Sequence, residues 1–103
     1  MKAVKFHPDA ESEMVIAAKY YSMQQPELGA RFLALVQEAV SRILLNPRLY
    51  PVIELDVRRC LTKTFPFGIL FRDLPHMIAI VAVMHLHRDP DYWKNRLGSQ
   101  RPR

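Results

Sequence analysis

Two nearly continuous apolar runs late in the chain limit what this sequence can fold into. They cover residues 67–72 and 77–84, and only residues 73–76, with a proline at a turn position, separate them. Apolar runs of this length are typical of β-strands that are covered on much of both faces. A connection this short joins strands that run in opposite directions. The sequence therefore predicts an antiparallel hairpin that other elements must cover.

Two helical patterns precede this hairpin. In the first, apolar residues recur at spacings of four, three and four, at Ala10, Met14, Ala17 and Tyr21. In the second, which starts near Leu28, they recur at Phe32, Val36, Ala39 and Ile43. Gln24-Gln25-Pro26 separates the two patterns, and Asn46-Pro47 ends the second. Helices joined by so short a link are expected to form an antiparallel hairpin that packs on a sheet.

The remaining segments complete a predicted α+β fold. Residues 3–6 alternate like a short N-terminal strand, and residues 57–64 are β-rich but half polar. Pro90, with Asp89 as N-cap, is expected to open a short C-terminal helix. The predicted order is β-α-α-β-β-β and then this helix, with the last three strands in an antiparallel meander. At this length we expect one core, hence a single domain over residues 1–103 with a frayed tail at residues 98–103.

Composition excludes several classes of protein. No apolar run reaches the roughly 18–20 residues that cross a bilayer, and residues 1–6 lack the long apolar stretch of a secretory signal. We therefore expect a cytoplasmic protein with no membrane partner. The single cysteine, Cys60, cannot form an internal disulfide and is expected in the core or sheet. The chain has no glycine-rich phosphate loop, CxxC pair or nucleophile motif, so we expect no cofactor.

Positive charge is concentrated in the second half of the chain. Residues 1–51 hold six Lys and Arg against five acids, whereas residues 52–103 hold nine against five. An anionic partner would be drawn to the second half. The alternative is a solvated basic surface that only confers solubility.

The last predicted strand changes character at His85. By alternation, one face carries Ile78, Ile80, Ala82, Met84 and Leu86, and we expect the helices to cover it. The other face carries Ala79, Val81, Val83, His85 and His87. Arg88 follows, and the predicted C-terminal helix turns Tyr92, Trp93 and Arg96 back across the same region. These residues predict a shallow basic and aromatic groove where the strand leaves the core.

Neighbouring strands can add cations to this groove. Alternation puts either Arg59, Leu61 and Lys63 or Arg58, Cys60 and Thr62 on the groove side, and Arg72 ends the middle strand. Cations that bind phosphate, a histidine that moves protons and aromatic rings that stack on bases would suit clamping or cleavage of single-stranded RNA. The alternative is structural: Tyr92 and Trp93 dock on the core, and the histidines are polar edge residues.

A metal site is the third interpretation of this segment. His85 and His87 lie on one strand face, with Asp89 and Asp91 close in sequence, and such side chains can share an ion. Arg88 would place a positive charge beside that ion, and Asp89 is expected to cap the helix. We therefore predict no metal site.

The order of elements and several segments together resemble the RelE/ParE superfamily, the toxins of bacterial type II toxin-antitoxin (plasmid stabilization) systems. The likeness covers about residues 3–97 and rests on FHPDAE at residues 6–11, Tyr20-Tyr21, Phe32, Asn46-Pro47, Arg58-Arg59, FPFGILFR at residues 65–72 and VMHLHRDPDYW at residues 83–93. The resemblance implies a helical hairpin on a curved antiparallel sheet, and a cognate antitoxin that wraps the toxin.

The superfamily divides by mechanism. RelE-like members cut messenger RNA in the ribosomal A site without a metal. Matched by position, their catalytic roles would fall on Arg59 or Lys63, Arg72, Arg88 and Tyr92, with His85 or His87 as further candidates for proton transfer. ParE-like members cut no RNA and poison DNA gyrase, and the basic C-terminal region is their binding surface.

The resemblance favours the ParE-like activity for this chain. The helical hairpin is long, and Lys63 is the only lysine between Lys19 and Lys94, whereas ribosome-dependent nucleases carry a dense lysine cluster. The predicted function is a toxin that inhibits DNA gyrase; the alternatives are a ribosome-dependent mRNA endoribonuclease and an inactive interaction module. The predicted surface for target or RNA comprises Arg58, Arg59, Lys63, His85, His87, Arg88, Trp93 and Arg96.

Overall fold

The computed structural model describes residues 2–100 and the side chains of residues 2–98. The elements are β1 (Ala3–Phe6), α1 (Pro8–Gln24), α2 (Pro26–Leu45), a 3-10 turn (Pro47–Leu49), β2 (Val52–Glu54), β3 (Val57–Leu61), β4 (Phe67–Asp73), β5 (Met77–His85) and a 3-10 segment (Lys94–Gln100). The predicted α+β class is confirmed. Of the tail predicted at residues 98–103, residues 101–103 lie outside the described part.

The helical hairpin forms as the sequence predicts. Pro8 occupies the first turn of α1, where its missing N–H costs nothing, and the His7 imidazole accepts the Asp9 N–H at 3.0 Å. Gln25 alone separates the helices. The predicted stripe of α2 is fully buried at Phe32, Val36, Ala39 and Ile43. Among the described residues, no helix is long and apolar enough to span a membrane.

The sheet is mixed, with strand order β1-β5-β4-β3-β2. Strands β3, β4 and β5 form the predicted antiparallel meander, but β1 pairs parallel with β5, because α1 and α2 return the chain to the far edge. Residues 52–54, for which no element was predicted, form the short strand β2, which adds to β3. Strand β3 ends at Leu61, short of the predicted residue 64, since Thr64 adopts a φ of 71° that leaves the strand conformation.

A β-bulge in β5 changes which side chains face the helices. Leu70 pairs with Ala82 and Phe71 with Ile80, so Val81 is the extra residue. Ile78 and Ile80 face the helices as predicted, but beyond the bulge the alternation reverses. Val81 lies on the second face as predicted, but Ala82 and Met84 lie there too and Val83 packs with the helices. The predicted faces are therefore wrong from Ala82 onward.

The second face of the sheet is covered by the C-terminal segment. Trp93 and Leu97 pack there in a cluster with Val57, Leu70, Val81, Ala82 and Met84. The helix predicted from Pro90 is instead a series of turns followed by the 3-10 segment, because its backbone bonds span three residues, such as Arg96 N–H to Trp93 C=O at 3.0 Å. The Asp89 carboxylate accepts the Asp91 N–H at 2.9 Å, a bond of the kind that the predicted N-cap would make.

Candidate functional site at the end of β5

An unpaired stretch of strand edge organises this end of the molecule. Strand β1 stops at Phe6, opposite Ile80, while β5 continues to His85. At and beyond the bulge, two side chains bond the exposed backbone. The Arg96 guanidinium donates to the Val81 carbonyl at 3.1 Å, and the Glu13 carboxylate accepts the Val83 N–H at 3.1 Å. An α1 residue and a C-terminal residue thus replace the missing neighbouring strand.

Glu13 and Arg96 also bond each other through two hydrogen bonds, of 2.9 and 3.1 Å. Their side chains are only 12% and 10% exposed. Burial acts to lower the pKa of Arg96, but the hydrogen bonds and charge of Glu13 outweigh it and raise that pKa. The ion pair therefore persists and fastens the C-terminal segment to α1.

Tyr92 lies between two guanidinium groups. Arg88 is 3.8 Å and Arg96 4.9 Å from its ring centroid. The buried Tyr92 hydroxyl makes no hydrogen bond of ordinary geometry to a described residue. Burial raises the pKa of Tyr92 most, and the nearby Glu13 carboxylate raises it further, against the opposing arginines. Tyr92 is therefore a neutral phenol at physiological pH and is poorly suited to proton transfer.

Arg88 is the member of this group that faces solvent. Its side chain is 53% exposed, and its guanidinium is 3.4 Å from Glu13, longer than the bonds that Arg96 makes. Glu13 thus holds two arginines unequally: Arg96 is locked, and Arg88 stays available at the surface. This unequal sharing leaves one cation for a partner.

His85 and His87 shape the turn that follows the strand. The His87 N–H donates to His85 Nδ1 at 3.1 Å, so a neutral His85 carries its proton on Nε2. The His85 ring packs edge-on against Phe67, with centroids 5.2 Å apart, and lies 5.3 Å from the His87 ring. Among the side chains that the structure describes, no three His, Cys, Asp or Glu residues are grouped as metal ligands would be.

A groove of about 540 Å³ separates the end of β5 from α1. A groove lies at His85 as predicted, but it opens on the helix side of the sheet and not on the second face. Residues of α1, and not Tyr92 and Trp93, supply its other wall. Its lining includes Glu13, Ile16, Tyr20, Phe67, Val83, His85 and Arg88. The sequence feature that could have indicated this wall is a second apolar stripe on α1. Ile16, Tyr20 and Met23 follow the same four-three spacing and are exposed.

Comparison with known proteins identifies the family. The model of the family described as "ParE toxin of type II toxin-antitoxin system, parDE" matches residues 4–90. The chain belongs to this family. It is a type II toxin of the RelE/ParE superfamily, as the sequence resemblance predicts.

The fold of this ParE-family toxin is also found among solved structures. The chain is similar to "Chromosomal ParDE TA system from P. aeruginosa", with a TM-score of 0.74 and 19% identity over 84% of this chain and 98% of that chain. At this identity the likeness concerns the fold. No curated protein matches the sequence.

The ParE-family toxin does not bring the predicted site residues together. Arg72 bonds Asp56 at 2.9 Å. It lies at the opposite end of β4 from Phe67, the partner of His85, about 17 Å along the strand. Arg58 donates to the Tyr50 carbonyl at 2.7 Å, and Lys63 is 3.6 Å from Glu38.

Burial separates the predicted residues further. Trp93 is 1% exposed and belongs to the core beneath the C-terminal segment. Arg96 is taken up by Glu13. His85, His87 and Arg88 remain together at the end of β5, and Arg59 lies on the second face of the sheet. The surface of the toxin at this end is therefore smaller than the predicted set.

Proposed function

We propose that this ParE-family toxin inhibits DNA gyrase by binding it, and that a cognate antitoxin neutralises it. The observation that carries the proposal is the separation of the residues that a RelE-like nuclease would need. Arg72 is engaged at the far end of β4, and the Tyr92 hydroxyl is buried. A cleavage site requires its phosphate ligands and proton donors around one scissile bond. A binding surface has no such requirement.

The charge and apolar character of the same end support two binding partners. Arg88, with His85 and His87, offers a small basic surface that suits acidic groups of an enzyme target. Beside it, Ile16 and Tyr20 expose apolar area that a monomer would ordinarily bury, which suits a covering antitoxin. Because gyrase acts on the bacterial chromosome, the proposal places the toxin in the cytoplasm.

Gyrase supercoiling in vitro tests the function directly. Purified toxin is expected to inhibit supercoiling of relaxed plasmid, and an excess of the protein encoded beside it is expected to restore activity. In cells, induction should arrest growth while transcripts remain intact. Rapid loss of full-length mRNA with unaffected supercoiling would overturn the proposal in favour of the ribosome-dependent nuclease.

We expect Arg88→Ala to weaken gyrase inhibition by about tenfold or more, because it removes the exposed cation at the centre of the surface. The fold should survive, since a half-exposed ion pair contributes less than about 1 kcal/mol. Supercoiling titrations with a thermal melt check both statements. Arg31→Ala is the matched control, as it removes the same charge from the exposed side of α2. Equal inhibition by all three proteins would show that Arg88 is not a contact.

Tyr92→Phe separates binding from cleavage. The buried hydroxyl has no ordinary hydrogen-bond partner among the described residues, so we expect the unfolding free energy to change by less than about 1 kcal/mol. Gyrase inhibition should stay within about threefold of the parent protein. If the hydroxyl transferred a proton during RNA cleavage, the variant would lose roughly 100-fold or more of its toxicity. Dose-response curves for growth arrest distinguish these results.

A further inference from the structure

Gly68 forms a notch on the second face of the sheet. A Cβ placed at this glycine would lie 3.0 Å from Cδ and 3.1 Å from Cγ of Arg59, and 3.6 Å from Cδ2 of Leu86. The first two distances are tighter than ordinary van der Waals contact. The absent side chain at Gly68 is therefore what allows the Arg59 stem to lie on the backbone of β4.

The notch sets the direction of Arg59. In the sheet register, Arg59 pairs with Leu70 and not with Gly68, which pairs with Leu61. The stem thus crosses diagonally toward the end of β4 that holds Phe67, the partner of His85. The Arg59 stem is consequently carried toward Leu86, which lies between His85 and His87 in the chain.

The Arg59 guanidinium has no protein partner within the part of the chain that the structure describes. Arg58 bonds a backbone carbonyl, Arg72 bonds Asp56, and Arg96 bonds Glu13. In contrast, no hydrogen bond or ion pair of the described residues engages the Arg59 side chain. A guanidinium with a packed stem and a free head is preorganised, because less side-chain freedom remains to be lost on binding.

The surroundings of Arg59 indicate the chemistry of its ligand. Leu61 and Leu86 flank the notch and are 48% and 39% exposed. One free arginine among exposed leucines is typical of a protein–protein interface, in which Arg is enriched beside apolar groups. A nucleic-acid surface would instead combine several cations along a backbone path.

We propose that Gly68 is a positioning residue that holds Arg59 to bind a carboxylate of the protein target, with Leu61 and Leu86 as its apolar border. This inference rests on the proposed function and names gyrase as that target. It extends the toxin surface from the end of β5 onto the second face of the sheet. Arg59 makes the ionic contact, and Gly68 acts only through Arg59.

Binding of toxin variants to gyrase, without DNA, tests this proposal. Arg59→Ala is expected to weaken binding by about 10–100-fold and to lower its salt dependence, with an unchanged melting temperature. Arg59→Lys should recover part of the affinity, since it keeps the charge but not the paired donors. Arg31→Ala is the charge-matched control and should bind within about twofold of the parent protein.

Gly68→Ala separates positioning from folding. It is expected to weaken binding by about 5–10-fold in the Arg59 protein but to have no further effect in Arg59→Ala, because its action passes through that side chain. An equal loss in both backgrounds would mean that Gly68→Ala merely disturbs the sheet, which would overturn the positioning role.

Four other outcomes would also overturn the inference. If Arg59→Ala binds gyrase as the parent protein does and Arg88→Ala does not, the proposed function stands and the Arg59 site is excluded. Dependence on Arg59 only when DNA is present would mean a phosphate ligand. Loss of binding to the adjacent-gene antitoxin alone would assign the arginine to that partner. A parent toxin that neither binds nor inhibits gyrase would remove both proposals together.

Discussion

Glu13→Ala is expected to detach the C-terminal segment and abolish toxicity. The substitution leaves Arg96, whose side chain is 10% exposed, without its main counter-charge, and leaves the Val83 N–H without an acceptor. Breaking a buried pair by removing one partner costs about 3–5 kcal/mol. A domain of this size is stable by only about 5–15 kcal/mol. We therefore expect a melting temperature lower by about 15–25 °C, measured by circular dichroism.

Two further variants distinguish the ion pair from a general loss of helix charge. Glu11→Ala removes an exposed acid from the same helix and should shift the melting temperature by no more than a few degrees. Joint replacement of Glu13 and Arg96 by Met and Leu should recover part of the lost stability, because no buried charge is left unpaired. If Glu13→Ala melts with the parent protein, the pair does not hold the C-terminal segment.

Periodicity explains why much of the fold was predictable. The stripe at Phe32, Val36, Ala39 and Ile43 has one interpretation, and the structure buries all four side chains. The bulge at Val81 was not predictable, because an extra residue leaves no mark within an apolar run. The parallel pairing of β1 depends on where the helical hairpin returns the chain, which residues 3–6 do not encode locally.

The candidate site was predictable only where polarity changes abruptly. The transition at His85 and Arg88 marks the end of β5 where the groove lies. The Glu13–Arg96 pair joins residues 83 positions apart, and local sequence offers no rule for such a pairing. The same limit applies to Trp93, because an aromatic residue in a polar segment suits both a binding surface and a core. In the structure Trp93 packs in the core on the second face of the sheet.

Gly29→Ala is expected to force the two helices apart. A Cβ at Gly29 would lie 1.8 Å from Oγ of Ser22 and 2.6 Å from the carbonyl oxygen of Ala18. The Ser22 hydroxyl can rotate away, but the Ala18 carbonyl belongs to the backbone of α1, so the helix itself must move. Overpacking of this kind costs about 1–3 kcal/mol. Because α1 carries Glu13, toxicity should decrease together with the free energy of unfolding.

The sign of this effect is the decisive measurement. Helix propensity alone favours alanine over glycine by about 1 kcal/mol, so without the close contact Gly29→Ala would stabilise the toxin. Urea unfolding of Gly29→Ala shows whether the close contact or the helix propensity has the larger effect on the free energy of unfolding. Gly98→Ala is the control, since a Cβ at Gly98 meets nothing within 4 Å. Adding Ser22→Ala should restore only part of the loss, because the Ala18 carbonyl still blocks the methyl group. Full recovery of the unfolding free energy would mean that the new methyl group clashes only with Ser22, and that the Ala18 carbonyl does not limit the spacing of the helices.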